Sequence, residues 1–279
     1  MAVITAARPR QTSALARFWR TPKGEMLLVL LALTVLAAPH AGLGRAVGLI
    51  TAALVPAMVL DTILVRSFRG RWLFPSGALL SGLFVAVLLD PFVAWYVPAL
   101  TATVAVASKY LFRTRWSNVF NPAALALVWS AIFLSSGQSW WGALADLPLV
   151  WLVLLLAAGL WLVSRINKLP MVLAFGGTYF LIVTAAAFLG DAARVAEIFR
   201  APDLHAVLFF AFFMLTDPPT SPTRYRDQVR FGVLVAVASA ACFLAFGSVY
   251  FLLAGLLVGN LWETWRRLNL LGRAAPVTA

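Results

Sequence analysis

Three short stretches of this sequence bring proline, small residues and hydrogen-bonding side chains together. They are Trp72-Leu73-Phe74-Pro75-Ser76-Gly77, Asn118-Val119-Phe120-Asn121-Pro122-Ala123-Ala124 and Thr216-Asp217-Pro218-Pro219-Thr220-Ser221-Pro222. Proline lacks an N–H and resists continuation of a helix, so backbone donors and acceptors are left free around it. With Ser76, Gly77, Asn118, Asn121, Pro122, Thr216, Asp217, Thr220 and Ser221, such backbone suits a planar polar ligand with several acceptors. It equally suits a small-solute pore. Each motif also has a local reading: Asn121 before Pro122 is good helix-start chemistry, and a proline run is a stop signal with a rigid turn. Asp61, Lys109 and Glu263 lie in otherwise apolar runs and are the residue types of an ion or proton relay, although Lys109 could also snorkel.

Other chemistries find little support. A single cysteine, Cys242, makes neither an internal disulfide nor a CxxC metal site. His40 and His205 read as two separate surface histidines rather than a haem pair, and no iron–sulfur cluster can be held by this chain alone. The sequence holds no GxGxxG, Walker or GxSxG motif, so no catalytic or metal-binding residue is assigned. Gly255-Leu256-Leu257-Val258-Gly259 and Gly176-Gly177 read as places where helices approach closely.

The elements that must position these groups follow from composition. Of 279 residues, 62% are hydrophobic and 11% charged, whereas a soluble domain needs about 25% charged residues to keep its surface wet. Lipid is therefore the expected solvent for most of the chain. No polar stretch is long enough to hold a separate catalytic domain.

A spanning helix takes about 20 mainly apolar residues. Ten segments approach this: 26–43, 46–65, 72–89, 92–111, 120–137, 147–164, 170–189, 204–216, 229–246 and 249–264. The expected organisation is a basic cytoplasmic segment over 1–25, one membrane domain over 26–264 and a cytoplasmic tail over 265–279. Residues 26–38 could alternatively open a cleaved signal peptide, but the topology needs them as a first span. With both termini inside, nineteen of the 22 lysines and arginines fall on the cytoplasmic side; only Arg45, Arg194 and Arg200 fall outside. All tryptophans but Trp19 and Trp129 lie near predicted helix ends, where indoles favour the interface. The net charge of +12 is thus explained by topology and anionic lipid, not by nucleic acid.

Two halves, about 26–137 and 147–264, would each hold five helices, and an odd number per half makes them inverted repeats. The third and eighth segments are interrupted at matching positions, which is where such folds place a buried site. Irregular backbone at membrane depth must be buried in protein or line a cavity.

At these motifs the chain resembles the RnfD/NqrB family, membrane subunits of Rnf-type electron transport complexes and of the Na+-translocating NADH:quinone oxidoreductase. The resemblance rests on RWLFPSGALLSGLFVAVLLDP, SNVFNPAALAL and FFMLTDPPTSP in that order, with Arg165 through Lys168-Leu169-Pro170 similar as well. It spans about 26–265 and is strongest for short free-standing members associated with enediyne biosynthesis. It implies an all-α, ten-helix inverted repeat of urea-transporter type in a bacterial inner membrane. It also implies a non-covalent flavin, riboflavin or FMN, beside Asn121 and the TDPPTSP segment. Partners would be ferredoxin-like or FMN-domain redox proteins, and quinone.

One departure matters. Family members carry an S/T-GAT motif after the fifth helix, whose last threonine bears covalent FMN. Residues 135–146 here contain no threonine, and Phe175-Gly176-Gly177-Thr178 is a look-alike in the wrong place. The GxxGExS-like segment expected in helix 6 is also missing. Covalent FMN is therefore not expected. The rival expectation is a small-solute transporter or channel that kept the fold and lost the flavin; a third is an assembly factor without a ligand.

Overall fold

A computed structural model describes residues 18–274, apart from 116, 146, 149 and 191–202, and gives the backbone alone for 271–274. Arg194 and Arg200, expected in an outer loop, most of the basic N-terminal segment and the end of the tail lie outside the described residues. The described chain is all-helical: α1 Pro22–Ala41, α2 Leu43–Arg69, α3 Ser76–Leu88, α4 Tyr96–Leu111, α5 Pro122–Phe133, α6 Val150–Arg165, α7 Leu169–Leu189, α8 Asp203–Phe209, α9 Tyr225–Phe246 and α10 Phe251–Ala274. A π-helical turn, Phe210–Met214, extends α8, and a 3-10 turn, Trp141–Ala143, lies between α5 and α6.

Local chemistry sets the boundaries. Thr21 caps α1, its hydroxyl accepting from Gly24 N–H at 3.2 Å, and Pro22 follows at the first helical position. Gly70 and Gly247 end α2 and α9 in the left-handed region, at φ 63° and 59°. The third segment is shorter than expected, because Pro75 stands before the helix as its N-cap and leaves 72–75 outside it.

Four helices, α1, α2, α7 and α9, are long and apolar enough to cross a membrane, with mean hydropathies of 1.7 to 2.1. At 1.5 Å per residue, the 27 residues of α2 extend about 40 Å, against a hydrocarbon core of about 30 Å. Their outward faces are apolar: Val35 and Leu181 are each 70% exposed. Such an apolar exterior is compatible with lipid and would be a liability in water. α3, α5, α6 and the α8 region are apolar but shorter.

In the first half α2 packs on α3 and α4, and α4 on α5; in the second α7 packs on α9 and α9 on α10. α5 meets α10 and α1 meets α6 across the halves. Glycines permit the tightest crossings. A Cβ on Gly232 would come within 2.5 Å of Met171 O, and one on Gly259 within 2.5 Å of Val235 Cγ2, so the GxxxG of α10 is a packing seam against α9. Gly176 and Gly177, expected to do the same, do not: nothing lies within 4 Å of either Cβ position, and they border an open apolar groove between α6, α7 and α8.

The segment after α5 also departs from expectation. Trp140 and Trp141 are buried, 6% and 2% exposed, rather than placed at an interface. The Trp141 indole N–H donates to Ala86 O at 2.9 Å, and Asp90 N–H to Gly137 O at 3.1 Å. The loop folds inward because α3 and α1 offer it an apolar bed and a free carbonyl. His205, expected at the surface, is likewise fully buried in α8, with neither ring nitrogen hydrogen-bonded among the described residues.

Candidate functional site

The first turn of α3, the entry to α5 and the turn after α8 converge on one cavity of about 560 Å³. Its walls include eight of the residues singled out by sequence: Ser76, Gly77, Asn118, Asn121, Pro122, Asp217, Asp61 and Lys109. Lys23, Arg69, Phe74, Phe84, Tyr110 and Arg113 complete much of the lining. The volume lies in the range of small-molecule sites.

Asn121 serves the local role expected of it: its side-chain oxygen accepts from Ala124 N–H at 3.1 Å and caps α5. That engagement leaves the amide N–H2 as the group this residue can offer a ligand. Asp61 accepts from the Tyr110 hydroxyl at 2.9 Å. Asp217 accepts from the Thr220 hydroxyl at 2.9 Å. Burial pushes the Asp217 carboxyl above its ordinary range, opposed by that hydroxyl and by Lys23, Lys109 and Lys168. Lys109 does not snorkel to water: its Nζ is buried and has no hydrogen-bond partner among the described residues.

Thr216, Thr220 and Ser221 build the turn rather than line the cavity. The Thr216 hydroxyl donates to Phe212 O at 2.6 Å, and the Ser221 hydroxyl to Asp217 O at 2.7 Å. The π turn just before them, closed by Leu215 N–H to Phe210 O at 3.0 Å, is the kind of irregularity that concentrates at functional sites. Glu263 stands apart from the large cavity. It is 1% exposed and receives Arg266 Nε at 2.8 Å and Arg267 Nε at 2.6 Å, beside a smaller cavity near the start of α9.

Sequence reasoning missed the residues that hold the motifs together. Asn260 of α10, fully buried, accepts from Asn121 N–H at 2.8 Å and donates to Thr220 O at 3.3 Å, tying two of the three motifs to one side chain. Arg267, two turns on, donates to Ser117 Oγ, Pro219 O and Ser221 O, each at 2.8 to 2.9 Å. Lys168 donates to Ser221 O and Pro222 O from the other side. Burial pushes the Lys168 ammonium down to about 8, partly offset by Glu263. The available signal was a buried-type amide, Asn260, one residue past the GxxxG in an otherwise apolar run.

No protein-family model matches the chain, and no curated protein matches it.

Proposed function

We propose that this chain is a polytopic membrane protein that holds a flavin non-covalently in the large cavity and passes electrons between partner redox proteins or quinone. The observation that carries the reading is the convergence of all three motifs on one cavity containing an unsatisfied buried ammonium, Lys109. An orphaned buried donor in a native fold calls for a partner, and a flavin offers acceptors along one edge. Phe74 and Tyr110 provide apolar surface for its ring system, and the Asn121 amide and the first turn of α3 provide donors. The flavin would supply the redox chemistry; the chain's own residues would bind it, orient it and exclude water. Asp61, with Tyr110 on its carboxylate, and Asp217 would tune the charge around it.

The wider architecture goes with this reading. Ten spans in two inverted five-helix repeats, with both termini on the cytoplasmic side of a bacterial inner membrane, account for the charge asymmetry of the loops. Some helix pairs fit it: shifting by five converts α2·α4 into α7·α9 and α4·α5 into α9·α10, while α1·α6 and α5·α10 map onto themselves; the packing of α3 on α4 and α5 has no counterpart of like extent at α8 among the described residues. The short α3 and α8 then occupy equivalent places, as in inverted-repeat carriers. The motifs quoted above support a likeness to the RnfD/NqrB family, and the threonine-free loop after α5 argues for one non-covalent flavin.

The test is the visible spectrum of the protein purified in mild detergent, followed by acid precipitation. Flavin fluorescence in the supernatant supports the reading; colour in the pellet would mean covalent attachment. A colourless, folded protein would overturn it in favour of a solute transporter, to be followed by flux measurements in liposomes.

A further inference from the structure

The large cavity contains a pair of lysines that have no hydrogen bond or ion pair among the described residues. Lys109 Nζ reaches 3.3 Å from the point where a Cβ on Gly77 would sit, and Lys23 Nζ 3.5 Å from the same point. The two ammoniums therefore flank one glycine, close enough for a single tetrahedral oxyanion to touch both. Gly77 is the second residue of α3, a 13-residue helix whose N-cap, Pro75, offers no side-chain acceptor. The N–H groups of Ala78 and Leu79 both turn back to Pro75 O at 3.0 Å. That of Gly77 is unanswered among the described residues. A helix N-terminus favours negative charge and presents free N–H groups to it, and Gly77, with no side chain, leaves room for a ligand to reach them.

Two carboxylates share this space and must be weighed. Asp61 and Asp217 lie within electrostatic range of both lysines. Each, however, is engaged by a hydroxyl, Tyr110 and Thr220 respectively. Neither forms an ion pair with Lys23 or Lys109 among the described residues. The carboxylates stand off from the lysines and leave their donors free.

We infer that the cavity takes a ligand bearing a phosphomonoester, seated between Lys23, Lys109 and the first turn of α3. The inference rests on the flavin reading above for the identity of the rest of the ligand, and under that reading it makes the flavin FMN rather than riboflavin. The phosphate site stands on its own geometry.

Full-length protein in mild detergent is stripped of ligand and titrated with FMN, with riboflavin and with inorganic phosphate against chloride of equal ionic strength. Binding is read by flavin fluorescence quenching and by melting temperature. FMN is expected to bind at least about tenfold more tightly than riboflavin, the scale of charge-assisted hydrogen bonds. Phosphate alone should raise the melting temperature. Lys109→Gln should abolish both effects and Lys109→Arg should keep them. Lys23→Gln, at an exposed position, weakens FMN binding without a core cost should Lys109→Gln fail to fold. Equal binding of the two flavins with no phosphate effect would overturn the inference while the flavin reading survives. Phosphate protection lost in Lys109→Gln, without flavin binding, would sustain the inference and end the flavin reading. Phosphatidic acid, a lipid with a phosphomonoester head, co-purifying stoichiometrically and displaced by phosphate would sustain it too, with the bilayer as the source.

Discussion

Asn260 satisfies two buried backbone groups from different halves of the chain, which makes it the residue whose loss should be felt most widely. Asn260→Leu keeps the branched heavy-atom shape but leaves Asn121 N–H and Thr220 O without partners. A buried unsatisfied group costs about 1–3 kcal/mol, so a clear fall in melting temperature is expected. Flavin retention should fall with it, because both motifs lose their anchor. Asn121→Ala removes the α5 cap at a cost of about 1 kcal/mol; it should also release flavin at once in a retention assay, and full retention would displace the proposed pocket. Lys168 gives a pH test. Its folded value near 8 lies below the ordinary 10.5, so between those values the unfolded chain binds a proton that the folded chain does not. Stability should therefore rise with pH across that window. Melting temperatures between about pH 7.5 and 9.5 should climb in the wild type and less steeply in Lys168→Met; identical slopes would show that another group titrates.

Helix interfaces make a sharper distinction among glycines than sequence spacing does. Gly232→Ala drives a methyl into the Met171 carbonyl, an atom that cannot swing away, and should cost about 1–3 kcal/mol. Gly176→Ala meets open space, and a helix-favouring residue there should hold or slightly raise the melting temperature. Comparing the two variants in one detergent decides the matter, and equal losses would contradict the packing described. The helices themselves were largely legible beforehand: each of the ten apolar segments coincides with a helix, because proline and glycine punctuate a run that is otherwise uniformly apolar. What could not be read was anything dependent on what lies opposite. The inward fold of Trp140 and Trp141 depends on a carbonyl of α3, and the burial of His205 on its neighbours. Similarly, Gly176-Gly177 and Gly255-xxx-Gly259 were both read as close-packing sites, and only the second has a packing partner.

At the scale of the whole molecule, the candidate cavity was legible as a convergence of motifs but not as a charge pattern. Asp61, Lys109 and Asp217 were singled out, whereas Lys23 was counted only as a topology signal. Glu263, grouped with the relay candidates, is paired with Arg266 and Arg267 of α10. The loop charges predict the orientation directly. A fluorescent-protein fusion at the C-terminus should glow, and an alkaline phosphatase fusion there should be inactive, as for a cytoplasmic end. The reverse pattern would invert the topology and move the cavity mouth to the opposite side of the membrane.

The hydrogen bond from Asn121 to Asn260 joins residues 139 apart in the chain. During synthesis at about 5–20 residues per second, the asparagine of the first half waits roughly ten to thirty seconds for its acceptor to be made. Under the proposed topology the newborn protein would over that interval hold a half-built, polar-lined hollow, a form open to membrane quality control. Completion of the last helix would be the event that shields it, so nascent chains halted before residue 260 should be degraded more quickly than those released a few turns later.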